Sequence, residues 1–149
     1  MTPSPLAIID TNVVVSGFFD KTGESPPSKI VEGMAIGLFV FVLSDALVAE
    51  YRDVLLRPAI AKKHGLSESE VDEALAAFVE NAAMADPAEE FPPAPDPDDD
   101  HLYALLAFPE TILVTGERRL IANPPRPGSV MSPRDFLDLL EKGGFRPAP

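Results

Sequence analysis

The chain has 149 residues, a formal net charge of −12, 46% hydrophobic residues, 2 histidines and no cysteine. This length argues for one domain and buries a sizeable core, and the hydrophobic content excludes a disordered chain. The lack of cysteine excludes disulfides, thiol catalysis and thiolate metal sites, while the acidic balance excludes a protein that coats nucleic acid through basic patches.

In chain order, Met1 to Pro5 carries no basic region ahead of the first apolar run, so no signal peptide is expected. A strand is predicted at Ala7–Ile9, ending on Asp10. Residues 28–37 read as a short helix with Ile30, Val31, Met34 and Ala35 inward. Phe39–Leu43 reads as a buried strand. Residues 45–57 place Leu47, Val48, Tyr51, Val54 and Leu55 on one stripe at helical spacing, and Pro58 stops that helix. Ser67-Glu68-Ser69-Glu70 is a capping box that opens a helix to about Asn81. Further strands are predicted at Ala82–Ala85, Ile112–Thr115 and Ser129–Met131, with a helix around Leu102–Ala107. Ser132-Pro133 caps a last helix, with Phe136, Leu137, Leu139 and Leu140 inward. No apolar run approaches the ~18–20 residues of a membrane span. The expectation is one cytoplasmic domain over residues 1–142, with 143–149 a frayed tail. Strands alternating with helices imply a parallel sheet covered on both faces.

The acids fall at informative places. A buried parallel strand delivers its carboxyl-terminal residue into a cleft. Asp10 stands there, with Thr11 and Asn12 able to orient it. It reads as a metal ligand or nucleophile, or else as the cap of the next turn. Glu50 lies in the first two turns of the helix that Ser44 can cap. Asp96-Pro97-Asp98-Asp99-Asp100 precedes the next helix. One or two of these would suffice for capping, and so many together repel one another unless a cation relieves them. Val114-Thr115-Gly116-Glu117 repeats the opening theme and presents Glu117 at the same sheet edge. Hard oxygen ligands without histidine or cysteine suit Mg²⁺ or Mn²⁺, and metal-assisted phosphodiester hydrolysis follows. The two histidines, His64 and His101, are too few and too far apart for a histidine-rich site.

The order Asp10-Thr11-Asn12, Ser44 with Glu50, Asp-Pro-Asp-Asp-Asp at 96–100 and Val114-Thr115-Gly116-Glu117 resembles a PIN domain. The likeness is closest to the toxin components of toxin–antitoxin pairs, the VapC-like ribonucleases. Val54-Leu55-Leu56-Arg57-Pro58 and Ser132-Pro133-Arg134-Asp135-Phe136-Leu137 match as linking phrases, so the resemblance covers about residues 6–140. It implies a three-layer α/β/α fold, Rossmann-like, with about five parallel strands. It also implies an Mg²⁺- or Mn²⁺-dependent ribonuclease, commonly a dimer and neutralised by a small antitoxin. By position, Asp10, Glu50, Asp99 and Glu117 would form the catalytic acidic site. Asp96 would join Asp10, Glu50 and Asp99 at the metal, and Asn12, Ser44 and Thr115 would orient neighbours. The family usually has aspartate where Glu117 stands, and often another where Arg119 stands. Arg118 and Arg119 could instead grip phosphate, or form a solvated helix face. Which of Asp98, Asp99 and Asp100 points inward stays open.

Two other functions compete. A phosphatase with Asp10 as covalent nucleophile would want an acid where Asn12 sits and a lysine after a later strand. A degenerate domain that binds RNA or protein without cutting is the other alternative, and Glu117-Arg118-Arg119 is its best support.

Overall fold

β1 (Leu6–Ile9) is the centre of the structure, a computed structural model that describes residues 5–143. Its Ala7, Ile8 and Ile9 are wholly buried, as expected of a strand covered on both faces. After it come α1 (Thr11–Phe19), α2 (Pro26–Ile36), β2 (Val42–Leu43), α3 (Asp45–Leu55), α4 (Pro58–His64) and α5 (Glu68–Asn81). The chain continues through β3 (Ala83–Met84), a 3₁₀ turn at Pro97–Asp99, α6 (Asp100–Leu106), β4 (Thr111–Val114), α7 (Arg118–Ile121), β5 (Val130–Met131) and α8 (Pro133–Lys142). Apart from Gly143, the tail expected at 143–149 lies outside the described residues.

All strand pairings are parallel. β1 pairs with β4 from Leu6↔Thr111 to Ile9↔Val114, and β4 pairs with β5. β2 pairs with β3. A single bridge, Ala7↔Phe41, with the Ala7 N–H donating to the Val40 carbonyl at 3.1 Å, joins the two sheets in the order β3-β2-β1-β4-β5. The expected five strands are therefore present, but the ladder is continuous across only three. Of the expected strand Phe39–Leu43, only Val42–Leu43 forms the β2 ladder, with Phe41 reduced to the bridge to Ala7, and β3 is a short exposed edge. The chain builds from β1 toward β3, then crosses over to β4 and β5. That reversal makes the carboxyl ends of β1 and β4 a topological switch point, where ligands bind in such sheets. Helices cover the sheet in an α/β/α arrangement, with α1 packed on α2 and α3, and α6 packed on β1 and β4.

The helix starts follow the serines. The side chains of Ser25, Ser44, Ser67 and Ser132 each accept a backbone N–H three residues on. Glu70 also returns a bond to the Ser67 N–H at 3.0 Å, which completes the capping box. Two helices depart from the sequence reading. α1 contains three consecutive valines, whose β-branches disfavour a helix. Burial of Val13, Val14, Val15 and Phe18 overrides that preference. Gly17 permits this packing, because a Cβ there would lie 2.5 Å from Val31 Cγ2 and 2.7 Å from the Pro27 carbonyl oxygen. Pro58 does follow the end of α3, but it also opens α4, since its fixed φ suits a first helical position. Buried His64 closes α4, its Nε2 on the Leu55 carbonyl at 2.8 Å and its Nδ1 accepting the Leu66 N–H. Two inward assignments are corrected. Ala35 is exposed, and Gly33 takes the inner position beneath Phe39. Leu139 is exposed at the edge of the α8 stripe, whose inner positions are Phe136 and Leu140.

Candidate active site

An open cleft of roughly 860 Å³ lies over the carboxyl ends of β1 and β4, walled by α1 and α3. Asp10 sits at its base, in the turn from β1 to α1. Its N–H continues the ladder to the Val114 carbonyl at 2.9 Å. Its carboxylate is 4% exposed and caps α1 through the Thr11 N–H at 2.7 Å. It also accepts the Thr115 hydroxyl at 2.8 Å and the Asn12 amide at 3.1 Å. Capping and site placement are thus the same geometry. Burial pushes its pKa up, and the Glu50 and Glu117 charges add to this. The hydrogen bonds from Thr115 and Thr11 hold it partly down.

Asn12 and Thr115, expected to orient neighbours, both hydrogen-bond to the Asp10 carboxylate. Asn12 Oδ1 accepts the Gly116 N–H at 2.9 Å and its amide reaches Thr115 Oγ1 at 3.3 Å. Thr115 Oγ1 accepts the Glu117 N–H at 3.0 Å, while the Thr115 N–H donates to the Met131 carbonyl. The ends of β1 and β4 are thereby tied together around Asp10. Ser44 acts one step further away. It is buried and caps α3 through the Leu47 N–H at 3.1 Å, and its effect on Glu50 passes through that helix.

Glu50 reaches the cleft from α3. Tyr51, next to it and fully buried, hydrogen-bonds through its hydroxyl to the Ile9 carbonyl, which locks α3 to the residue before Asp10. Burial drives the Tyr51 phenol pKa well above its usual range, so it remains a donor. Glu50 Oε1 accepts the Thr11 hydroxyl, and Oε2 meets His101 Nε2 at 2.8 Å. The His101 hydrogen bond is the chief reason the Glu50 pKa lies below its ordinary value, and Glu50 in turn raises that of His101. His101 Nδ1 is buried without a partner among the described residues. Sequence reasoning set this histidine aside. The available signal was its place in the first turn of α6, directly after the aspartates.

The structure separates the aspartates. Asp96 Oδ1 accepts the Asp98 N–H at 2.9 Å and caps the 3₁₀ turn, so it serves the turn and does not line the cleft as a ligand would. Asp100 Oδ1 accepts the Ala94 N–H at 2.9 Å and secures the proline-rich loop. Asp98 and Asp99 line the cleft. The Asp99 pKa is pushed up to about 6, first by burial, then by the charges of Asp10, Glu117, Asp96 and Glu50. Glu117 lines the cleft from the start of α7, with a carboxylate that caps nothing.

Arg118 and Arg119 are exposed and stand outside the cleft lining. The Arg119 guanidinium donates to the Pro95 carbonyl at 3.0 Å, tying α7 to the loop ahead of the aspartates. The cation that does line the cleft is Arg57, which sequence reading passed over as part of a linking phrase.

Among the described residues, no three acidic or histidine side chains form a ready ligand set for a metal. Both Glu50 oxygens face donors, and Asp10 accepts three hydrogen bonds. The donor chemistry still fits a hard divalent cation. Asp10, Glu50, Asp99 and Glu117 are close enough to raise the pKa values of Asp10 and Asp99 through like charge, and each carboxylate has about four lone-pair sites.

Among the described residues no helix is long and apolar enough to cross a membrane. No curated protein matches the chain. A family model described as PIN domain matches residues 7–119. PIN domains are generally nucleases. That match runs from β1 to the start of α7 and contains every acid of the cleft from Asp10 to Glu117, so the chain belongs to the PIN domain family.

Proposed function

We propose that the protein is an endoribonuclease that hydrolyses RNA phosphodiester bonds with Mg²⁺ or Mn²⁺. The observation that carries this reading is the meeting of Asp10, Glu50, Asp99 and Glu117, from four segments, in one cleft at the sheet edge, where burial and then like charge push the Asp99 pKa up to about 6. Such repulsion is relieved by a cation, and PIN domains typically use divalent metals. Asp10, Glu50, Asp99 and Glu117 would hold it. When bound, the cation supplies acidity to water and neutralises charge on the reacting phosphate.

The chain's own residues do the positioning. Thr11, Asn12 and Thr115 fix the Asp10 carboxylate, so little reorganisation remains when charge develops beside it. Tyr51 and His101 hold Glu50 at the cleft wall. Water adds to phosphorus as the P–O bond to the leaving nucleoside breaks, and the product oxygen takes a proton from solvent. No covalent protein intermediate is needed.

Within this reading the protein is the toxin of a toxin–antitoxin pair, a cytoplasmic homodimer with a protein antitoxin. The resemblance of the acidic motifs supports this, and a neighbouring gene for a short antitoxin tests it. A second reading, an RNA-binding domain that cuts weakly or not at all, is favoured by the engagement of both Glu50 oxygens. Cleavage of single-stranded RNA with Mn²⁺ separates the two. The nuclease reading expects cutting that stops in chelator and in Asp10→Asn, with the fold intact by circular dichroism. RNA binding without cutting would favour the second reading.

A further inference from the structure

We infer that Arg57 is a phosphate-binding residue of the cleft, gripping the backbone of a single RNA strand beside the acids. This rests on the nuclease reading above. Ala46, Ala49, Glu50, Asp53, Val54 and Arg57 all line the cleft. Their spacing is that of one helix face, continued just past the end of α3. Arg57 stands two residues past Leu55, in the extended N-cap of α4. Its side chain turns back to Asp53, and its charge is near enough to help lower the Glu50 pKa, so the phosphate it meets lies next to the acids. Ala46, Ala49, Val54 and Val15 also line the cleft and give it uncharged surface on which a sugar or base can lie.

Charge gives the second argument. RNA is a polyanion and this body carries −12. Arg57 is the only Lys, Arg or His side chain among the described residues lining the cleft, so it is where attraction is available. A guanidinium presents a planar fork of donors that matches phosphate. The Arg57 side chain hydrogen-bonds to Asp53 Oδ2 at 3.0 Å, in an exposed pair of low worth that a phosphate can displace. Arg118 and Arg134 lie outside the cleft lining, and three other arginines are committed elsewhere. Arg52 is held by Glu68 and Asp72, Arg119 by the Pro95 carbonyl, and Arg126 by the Leu106 and Thr111 carbonyls.

The test is fluorescence anisotropy of a labelled single-stranded RNA dodecamer in chelator across a salt series. Cutting of the same RNA in Mn²⁺ is assayed alongside. Arg57→Ala is expected to weaken binding about tenfold and to lower the salt slope by about 0.7, the share of one phosphate on a single strand. Arg57→Lys retains the slope with part of the affinity, and Asp53→Asn tightens binding. The Arg57→Ala melting temperature stays near wild type because only an exposed pair is lost. If wild type binds and cuts RNA while Arg57→Ala keeps its affinity and slope, the inference falls and the nuclease reading stands. If wild type neither binds nor cuts, the nuclease reading falls and takes the inference with it.

Discussion

Neutralising Asp99 should stabilise the metal-free protein, and only above a defined pH. The Asp99 carboxyl has a pKa of about 6 in the fold against 3.8 in an unfolded chain. The folded value is the higher one. Its contribution to stability is therefore complete below pH 3.8 and is lost as pH rises through 6. Asn mimics the protonated form, so Asp99→Asn and wild type should match near pH 4, diverge as pH rises toward 6, and differ by a constant amount above it. The shift of about two units corresponds to about 3 kcal/mol at 1.36 per unit. Asp99 is only partly buried, so solvent screening reduces this to about 1 kcal/mol. For a domain of this size that is a gain of about 2–4 °C in melting temperature. Differential scanning fluorimetry in chelator at pH 4 and pH 8 reads the difference. Mn²⁺ at 100 times its Kd should then stabilise wild type by about 2.7 kcal/mol, and the variant by less. An equal difference at both pH values, or a less stable variant at pH 8, would refute the repulsion on which the site is argued.

Other outcomes follow from single contacts. Removing the Glu50–His101 pair with His101→Ala should cost most between the ordinary values of the two groups, 4.5 and 6.5. Glu50 loses its part as pH falls through its lowered pKa, and His101 loses its part as pH rises through its raised one. Urea denaturation at several pH values should show a maximum of about 0.5–1.5 kcal/mol there, and a flat profile would deny the pair. Tyr51→Phe leaves the Ile9 carbonyl without its partner and should cost about 1–3 kcal/mol by the same measurement, with RNA cutting reduced because α3 is no longer tied to the end of β1. Gly17→Ala places a methyl group against Val31 and the Pro27 carbonyl, an overpacking expected to cost about 1–3 kcal/mol. Unchanged melting of Gly17→Ala would show that the α1–α2 contact is looser than described.

The parts of the fold readable in the sequence are those where a local signal and the tertiary structure agree. Serine caps, the Ser67–Glu70 box and the ends of β1 and β4 belong to this class, because capping chemistry and short buried apolar runs act within a few residues. α1 was hidden because its valines prefer strand and only burial against α2 and α3 makes them helical. α4 was hidden because proline stops one helix and starts the next with the same fixed φ. At the site, the placing of Asp10, Glu50 and Glu117 at one edge followed from strand ends and helix starts. The roles of Asp98, Asp99 and Asp100 did not, since adjacent aspartates are chemically alike and only the path of the 3₁₀ turn separates them. His101 and Arg57 were missed for a related reason. His101 follows the aspartates directly but serves Glu50, 51 residues away, and Arg57 sits at a helix end where a cation is equally at home in solvent.

The most direct measurement of the central claim is anomalous scattering from crystals soaked in Mn²⁺. A manganese peak should lie in the cleft at about 2.0–2.2 Å from carboxylate oxygens of Asp10 and at least one of Glu50, Asp99 and Glu117. No peak among these acids, at a Mn²⁺ concentration that supports RNA cutting in solution, would contradict the account.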